Sequence, residues 1–131
     1  MARLILDTSV LIAAERQDLD LREVLDDDDD LAIAPVTVAE LLLGVELASP
    51  ERRGAREGWA NVLLALLPVE AYDAEAARAH AALMAHTRLA GRHPGAHDLM
   101  IAAVAVRSDR EVLTRDRRGF ELPGVRSRVV A

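Results

Sequence analysis

The chain has 131 residues, 51% of them hydrophobic and 29% charged, a composition that predicts a single soluble domain spanning residues 1–131. It lacks cysteine, and all 16 of its basic residues are arginine, which argues against disulfides, thiol catalysis, Schiff-base chemistry and a Walker-type phosphate loop. Its net charge of −6 argues against a broadly basic nucleic-acid-binding surface. The sequence has no signal-peptide pattern and no apolar run of about 18 residues, which predicts a cytoplasmic protein without a membrane segment.

The first predicted element is a buried strand over residues 3–6, which contains three large aliphatic side chains. A run this short suits a strand covered on both faces better than a helix. A helix should follow over residues 9–15, with Ser9 as its cap. Asp7 would then lie at the carboxyl end of a buried strand, the sheet edge at which α/β proteins bind ligands. A helix-capping role for Asp7 is the alternative.

The middle of the chain is predicted to hold a second short strand and three helices. Five consecutive aspartates within residues 18–30 indicate a solvated loop. The strand should end at Pro35, and Thr37 and Glu40 have the spacing of a capping box at the start of the next helix. The predicted elements are a strand at 31–34, helices at 37–48, 51–66 and 74–89, the last capped by Asp73, and a strand or edge segment at 67–70.

The last third of the chain begins with a glycine- and proline-containing loop at residues 91–96. A strongly apolar helix is expected over 97–106, a buried strand over 111–114 and a final strand over 125–130. Strands that alternate with helices predict an α/β fold, in which a parallel sheet of four or five strands is covered on both faces.

Four acidic residues occupy comparable places in this prediction. Asp7 and Asp116 follow buried strands, Asp98 begins a buried helix, and Glu40 lies in the first turn of another. Each also has a structural explanation as a cap, a helix-dipole partner or a turn residue. Because parallel strands end at one edge of a sheet, these carboxylates should lie close together and repel one another unless cations lie between them. Oxygen ligands favour Mg²⁺ or Mn²⁺, and phosphodiester hydrolysis is the chemistry that uses such a group.

The residues around these acids resemble the four motifs of a PIN-domain ribonuclease, and their order and spacing are similar to those of VapC-like toxins of bacterial toxin–antitoxin pairs. The matching segments are residues 4–12, 38–41, 97–103 and 113–120. The resemblance implies a PIN-like three-layer α/β/α sandwich and a metal-dependent endoribonuclease, which hydrolyses RNA phosphodiester bonds by metal-activated water. It also implies that Asp7, Glu40, Asp98 and Asp116 are catalytic and bind Mg²⁺ or Mn²⁺, and it leaves open whether Asp116 binds the metal directly or through water.

The resemblance extends to supporting residues and partners. Thr8, Ser9 and Thr114 match hydroxyl positions that support the site in this family. Arg92, Arg115 and Arg117 are candidates for positioning RNA, with salt-bridged protein surface as the alternative. The implied partners are an RNA substrate, a cognate antitoxin protein and a second copy of the chain, in a homodimer or a larger toxin–antitoxin assembly. A non-catalytic interaction module, with the acids as helix caps, is the competing function.

Overall fold

The computed structural model describes all residues from 1 to 131 and contains four strands and six helices. In chain order these are β1 (Arg3–Leu6), α1 (Thr8–Glu15), α2 (Leu21–Val24), β2 (Asp30–Ala32), α3 (Pro35–Glu46), α4 (Pro50–Leu66), α5 (Ala74–Leu89), α6 (Ala96–Ser108), β3 (Glu111–Thr114) and β4 (Ser127–Val129). None of the helices combines the length and the apolar character that a membrane crossing requires.

The four strands form one parallel sheet in the order β2-β1-β3-β4. Ile5 of β1 is in register with Ala32 of β2 on one side and with Val112 of β3 on the other. The predicted segment at 67–70 contributes one isolated bridge, between Ile33 and Val69. β2 lies on one side of β1, and β3 lies on the other. The connections of the chain therefore diverge between β1 and β3, and a crevice opens at the carboxyl ends of these two strands.

Two hydrophobic cores cover the two faces of the sheet, because successive strand side chains point to opposite sides. Ile5 and Val112 belong to the core that contains residues of α5 and α6. Leu6 and Leu113 belong to the other core, which contains residues of α1 and α3 and the partly buried Trp59 of α4. Helices therefore cover both faces of a parallel sheet, which confirms the predicted α/β/α sandwich.

Two predictions about helix starts were wrong. The helix α3 begins at Pro35, with Ala34 as its N-cap and no side-chain cap, because proline already has the backbone angle of the first helical position. Thr37 and Glu40 therefore lie inside the helix and form no capping box. The helix α1 begins at Thr8, so Ser9 is not its cap, and Asp7 at the N-cap position makes no side-chain cap hydrogen bond.

The aspartate-rich segment is also more ordered than the loop that the sequence predicts. Asp20 accepts a hydrogen bond from the backbone N–H of Arg22 and caps the short helix α2. Asp29 then accepts backbone N–H groups of Ala2 and Asp26 at 2.9 and 2.8 Å. These bonds hold the pKa of the Asp29 carboxyl below its ordinary value. The loop prediction therefore fails for residues 21–24, where local caps stabilise a helical turn.

A buried arginine joins three strands at the opposite, amino end of the sheet. Arg110 Nη1 donates to the carbonyl oxygens of Leu4 and Asp30 at 3.2 and 2.9 Å, and to Oδ1 of Asp30 at 3.1 Å. Its Nη2 donates to Oε1 of Glu70 at 3.0 Å. The guanidinium thus ties β1, β2 and the start of β3 together, at the end of the sheet that faces away from the crevice.

Candidate functional site

Asp7 lies at the carboxyl end of β1, and two hydroxyl groups orient its carboxylate. Its Oδ2 accepts hydrogen bonds from Oγ of Ser9 and Oγ1 of Thr114, both at 2.7 Å. Asp7 is buried, and Thr114 at the end of β3 is fully buried. Ser9 lies one position inside α1, so the strand and the following helix together aim this carboxylate into the crevice between β1 and β3.

Glu40 reaches the same region from α3 through a pair of threonines. The hydroxyl oxygen of Thr8 lies 2.9 Å from Oε1 of Glu40 and 3.1 Å from Oγ1 of Thr37. A carboxylate can only accept, so Thr8 donates its single proton to Glu40, and Thr37 then donates to Thr8. Thr37 and Glu40 are three residues apart and share one face of the helix. The spacing of Thr37 and Glu40, which suggested a capping box, therefore lets both side chains join a partly buried hydrogen-bond network with Thr8.

Asp98 and Asp116 approach each other from α6 and from the loop after β3. A Cβ atom built on Gly119 would lie 3.0 Å from Oδ2 of Asp98 and 2.7 Å from Oδ2 of Asp116. The backbone N–H of Asp116 donates to Oγ1 of Thr114 at 2.9 Å, and its own Oδ1 accepts from the backbone N–H of Arg118 at 3.0 Å. Thr114 therefore links Asp116 to Asp7, and Asp116 also fulfils the turn role that the sequence left open.

The electrostatics of Asp98 show that the acids form one group, which we call the four-acid site (Asp7, Glu40, Asp98 and Asp116). Burial raises the pKa of Asp98 most strongly, followed by the negative charges of Asp7, Asp116 and Glu40, and it reaches about 6. The neighbouring His97 opposes this rise in pKa. Burial and three neighbouring carboxylates thus destabilise the charged form of Asp98.

The four-acid site leaves space between its members. No three of its carboxylates have oxygen atoms that all lie within 4.8 Å of one another; the group that does is Asp26, Asp28 and Asp29 on the aspartate-rich loop. In that loop group, Asp29 already accepts two backbone N–H groups and Asp28 pairs with the chain's amino terminus. The carboxylates of the four-acid site are therefore more widely spaced than those of the aspartate-rich loop.

Several arginine residues lie near Asp98 and Asp116 in the structure or in the sequence. Arg92 and Arg118 line a cavity of about 440 Å³ that borders Asp98 and Asp116. Arg92 donates to the carbonyl oxygens of Arg118 and Glu121, so its guanidinium supports the loop. The exposed Arg115 and Arg117 make no side-chain hydrogen bond or salt bridge within the chain, so the salt-bridged surface considered from the sequence does not form at these two arginines.

Sequence reasoning missed three contributors to this site. Thr37 was interpreted as a cap, whereas the proline at the start of α3 already placed it inside the helix. His97, expected only as a residue at a helix start, lies with Nδ1 3.5 Å from Oε2 of Glu40. Gly119 lies against both Asp98 and Asp116, and no local pattern reports such proximity between side chains of distant segments.

Comparison with known proteins gives consistent matches over nearly the whole chain. A family model described as PIN domain matches residues 4–124. The chain is 39% identical to ribonuclease VapC5 of Mycobacterium tuberculosis over 130 residues, which cover 94% of this chain and 90% of that protein. It is 29% identical to ribonuclease VapC of Rickettsia bellii over 119 residues, which cover 90% of this chain and 88% of that protein.

A solved structure is also similar to this chain over its full length. The crystal structure of VapBC-5 from Mycobacterium tuberculosis, a member of the VapBC family of toxin–antitoxin systems, matches with a TM-score of 0.83 and 34% sequence identity. The match covers 99% of this chain and 100% of that chain. The family model spans all of the four-acid site.

Proposed function

Because the chain belongs to the PIN domain family, we propose that it is a metal-dependent endoribonuclease and the toxin of a toxin–antitoxin pair. The observation that supports this most directly is the convergence of Asp7, Glu40, Asp98 and Asp116 at one edge of the sheet, where burial and then the charges of the other three acids raise the pKa of Asp98. Its relatives named ribonuclease VapC and VapC5 support the choice of RNA as the substrate.

The residues of the four-acid site fit a hard divalent cation. All four offer carboxylate oxygens, and Gly119 leaves open the space beside Asp98 and Asp116 that a side chain would fill. We assign Mg²⁺ or Mn²⁺ to Asp7, Asp98 and Glu40, with Asp116 as a direct or water-mediated ligand. When bound, such an ion would activate a water molecule for attack on phosphorus and neutralise the leaving oxygen.

The chain's own side chains prepare the site for this chemistry. Ser9 and Thr114 fix the orientation of Asp7, and Thr8 does the same for Glu40. Supporting hydrogen bonds of this kind hold metal-binding carboxylates in a productive geometry. Asp7 and Glu40 are therefore oriented before any substrate binds.

The exposed arginines beside the site supply positive charge that the acidic chain lacks overall. Arg115 and Arg117 follow β3 directly and flank Asp116, and neither side chain is engaged elsewhere in the chain. Guanidinium groups bind phosphate oxygens through paired hydrogen bonds. We propose that Arg115 and Arg117 position the RNA backbone in the cytoplasm, with Arg92 contributing from the cavity wall.

The proposed partners are a cognate antitoxin and a second copy of the chain. The VapBC-5 structure is described as a toxin–antitoxin system, which supports an antitoxin partner here. The helices α3 and α4 carry exposed aliphatic side chains that neither core uses, namely those of Leu42, Leu43, Leu47, Val62 and Leu66. We propose that this aliphatic surface, defined by these five residues, forms the homodimer contact.

Cleavage of a mixed structured RNA by the purified chain, freed from any partner, tests the proposed activity. We expect cutting with Mg²⁺ or Mn²⁺, no cutting with chelator, and loss of cutting in Asp7→Asn. The matched control is Asp109→Asn, an exposed aspartate that is paired with Arg126 and lies at the end of α6 opposite to Asp98, which should cut normally.

The competing function, a non-catalytic interaction module, makes a different prediction for the same assay. It requires a folded wild-type chain that cuts no RNA with either metal. It would also require the acids to be explained as helix caps, but Asp7 makes no cap hydrogen bond and Glu40 lies inside α3. The absence of metal-dependent cutting would nevertheless overturn the proposed ribonuclease.

A further inference from the structure

Gly119 occupies the one place at which a side chain would enter the space shared by Asp98 and Asp116. A Cβ atom there would lie 2.7 Å from Oδ2 and 3.2 Å from Cγ of Asp116, and 3.0 Å from Oδ2 of Asp98. Carbon and oxygen atoms in ordinary contact are about 3.5 Å apart, so these distances are repulsive. The backbone of Gly119 does not have a positive φ. The position therefore requires glycine for space and not for conformation.

Asp116 cannot move away from an added methyl group without losing a contact. It is held through Oδ1 by the backbone N–H of Arg118 at 3.0 Å, and through its own N–H by Thr114 at 2.9 Å. A displacement of Asp116, the closer of the two acids to the added atom, would therefore strain or break these hydrogen bonds.

The loop that carries Gly119 is equally restrained. Arg92 donates through Nη2 to the carbonyl oxygen of Arg118 at 3.2 Å and through Nη1 to that of Glu121 at 2.6 Å. Phe120, the residue after Gly119, is fully buried in the core between the sheet and the α5–α6 pair. The backbone on both sides of Gly119 is thus fixed, so an added methyl group would have to displace the acids.

We infer that Gly119 is a positioning residue that keeps the space between Asp98 and Asp116 open for a partly hydrated divalent cation. This inference rests on the proposed metal-dependent function and adds a residue to it. Mg²⁺ needs near-octahedral geometry and keeps several water molecules, so narrowing the space by one methyl group removes room for those waters. Gly95, whose Cβ position makes an ordinary contact with Oδ2 of Asp98, lacks this role.

The test is calorimetric titration of Mn²⁺ into the full chain and into Gly119→Ala, with thermal melts in chelator as the folding control. We expect Gly119→Ala to weaken Mn²⁺ binding about tenfold or more, in the range seen when the groups that orient metal ligands are altered. The melts measure what the displaced acids cost the metal-free chain, and both chains should remain folded at the temperature of the titration. The matched control is Gly58→Ala in α4, where an added Cβ meets nothing within 4 Å and Mn²⁺ binding should be unchanged.

A double-mutant cycle keeps the inference testable if Gly119→Ala destabilises the metal-free chain. In an Asp116→Ala background the added methyl group loses its closest contact, Oδ2 of Asp116, and keeps only the one with Oδ2 of Asp98 at 3.0 Å, so Gly119→Ala should then cost less Mn²⁺ affinity. An equal loss of affinity in both backgrounds would contradict the inference.

The outcomes separate this inference from the proposed function. A wild-type chain that binds no Mn²⁺ and cuts no RNA overturns both. A wild-type chain that binds Mn²⁺ and cuts RNA, together with a Gly119→Ala variant that binds Mn²⁺ equally well, overturns the role of Gly119 alone.

Discussion

At the scale of single residues, Thr114 is the hydroxyl group that two acids share, and its removal should weaken the site from both sides. Thr114→Val keeps the shape of the side chain but removes the donor to Asp7 Oδ2 and the acceptor for the Asp116 N–H. We expect Mn²⁺ affinity to fall about 10- to 100-fold. The free energy of unfolding in chelator should fall by about 1–3 kcal/mol, because the buried Asp7 carboxylate and the partly buried Asp116 N–H each lose a partner. Titration calorimetry and urea denaturation measure the two effects.

Thr87→Val is the matched control for Thr114→Val. Thr87 is also buried, but its hydroxyl bonds only to the carbonyl oxygen of Met84 within α5. Its substitution should leave Mn²⁺ affinity unchanged. If both variants bind Mn²⁺ like the wild type, the shared hydroxyl group does not support the four-acid site.

Asp98 should make the metal-free chain more stable as the pH falls. Its pKa of about 6 lies above the ordinary 3.8 of an aspartate, so the folded state binds this proton more readily than the unfolded state does. Between pH of about 7 and 5, wild type should therefore gain stability relative to Asp98→Asn, which mimics the protonated form. In chelator at neutral pH, Asp98→Asn should melt at the higher temperature, and Mn²⁺ should reverse that order. Parallel pH profiles for the two chains would contradict the raised pKa of Asp98, which burial causes first and the neighbouring acids second.

At the scale of secondary-structure elements, the sequence predicted the strands and the acids that follow them, because strand-end positions depend on local patterns. The strand at 111–114 and the helix at 74–89 have the predicted bounds. The start of α3 was wrong because Pro35 was interpreted as the end of a strand and not as the first residue of a helix. Arg110 and Gly119 could not be predicted, since their roles depend on groups that the fold brings together from distant segments.

Arg110 should be the strongest stabilising residue among the arginines that join these elements. Its side chain is only 5% exposed and binds Asp30 and Glu70. Arg110→Met should lower the free energy of unfolding by about 3 kcal/mol, because two carboxylates lose their buried counter-ion. Arg128→Ala is the control, since its ion pair with Glu111 lies nearer the surface and is worth at most about 1 kcal/mol. Similar midpoints of urea denaturation for the two variants would show that Arg110 does not hold the sheet together.

At the scale of the whole molecule, the aliphatic surface of α3 and α4 leads to a prediction about self-association. Leu47 and Leu66 are 76% and 71% exposed, so their replacement by glutamate removes no core contact and should leave the melting temperature in chelator nearly unchanged. If this surface forms the homodimer, Leu47→Glu and Leu66→Glu should shift the chain to monomer, because charged residues are disfavoured in the centre of an interface.

Light scattering on a size-exclusion column measures this shift, and Leu89→Glu provides the matched control. Leu89 is the most exposed of the chain's large hydrophobic residues at 90%, and it lies at the end of α5, outside the aliphatic surface. Its substitution should therefore leave the dimer intact. A dimer that survives glutamate at both Leu47 and Leu66, but is lost in Leu89→Glu, would move the contact from α3 and α4 to the end of α5. The four-acid site would be unaffected by that result, because it is built entirely within one chain.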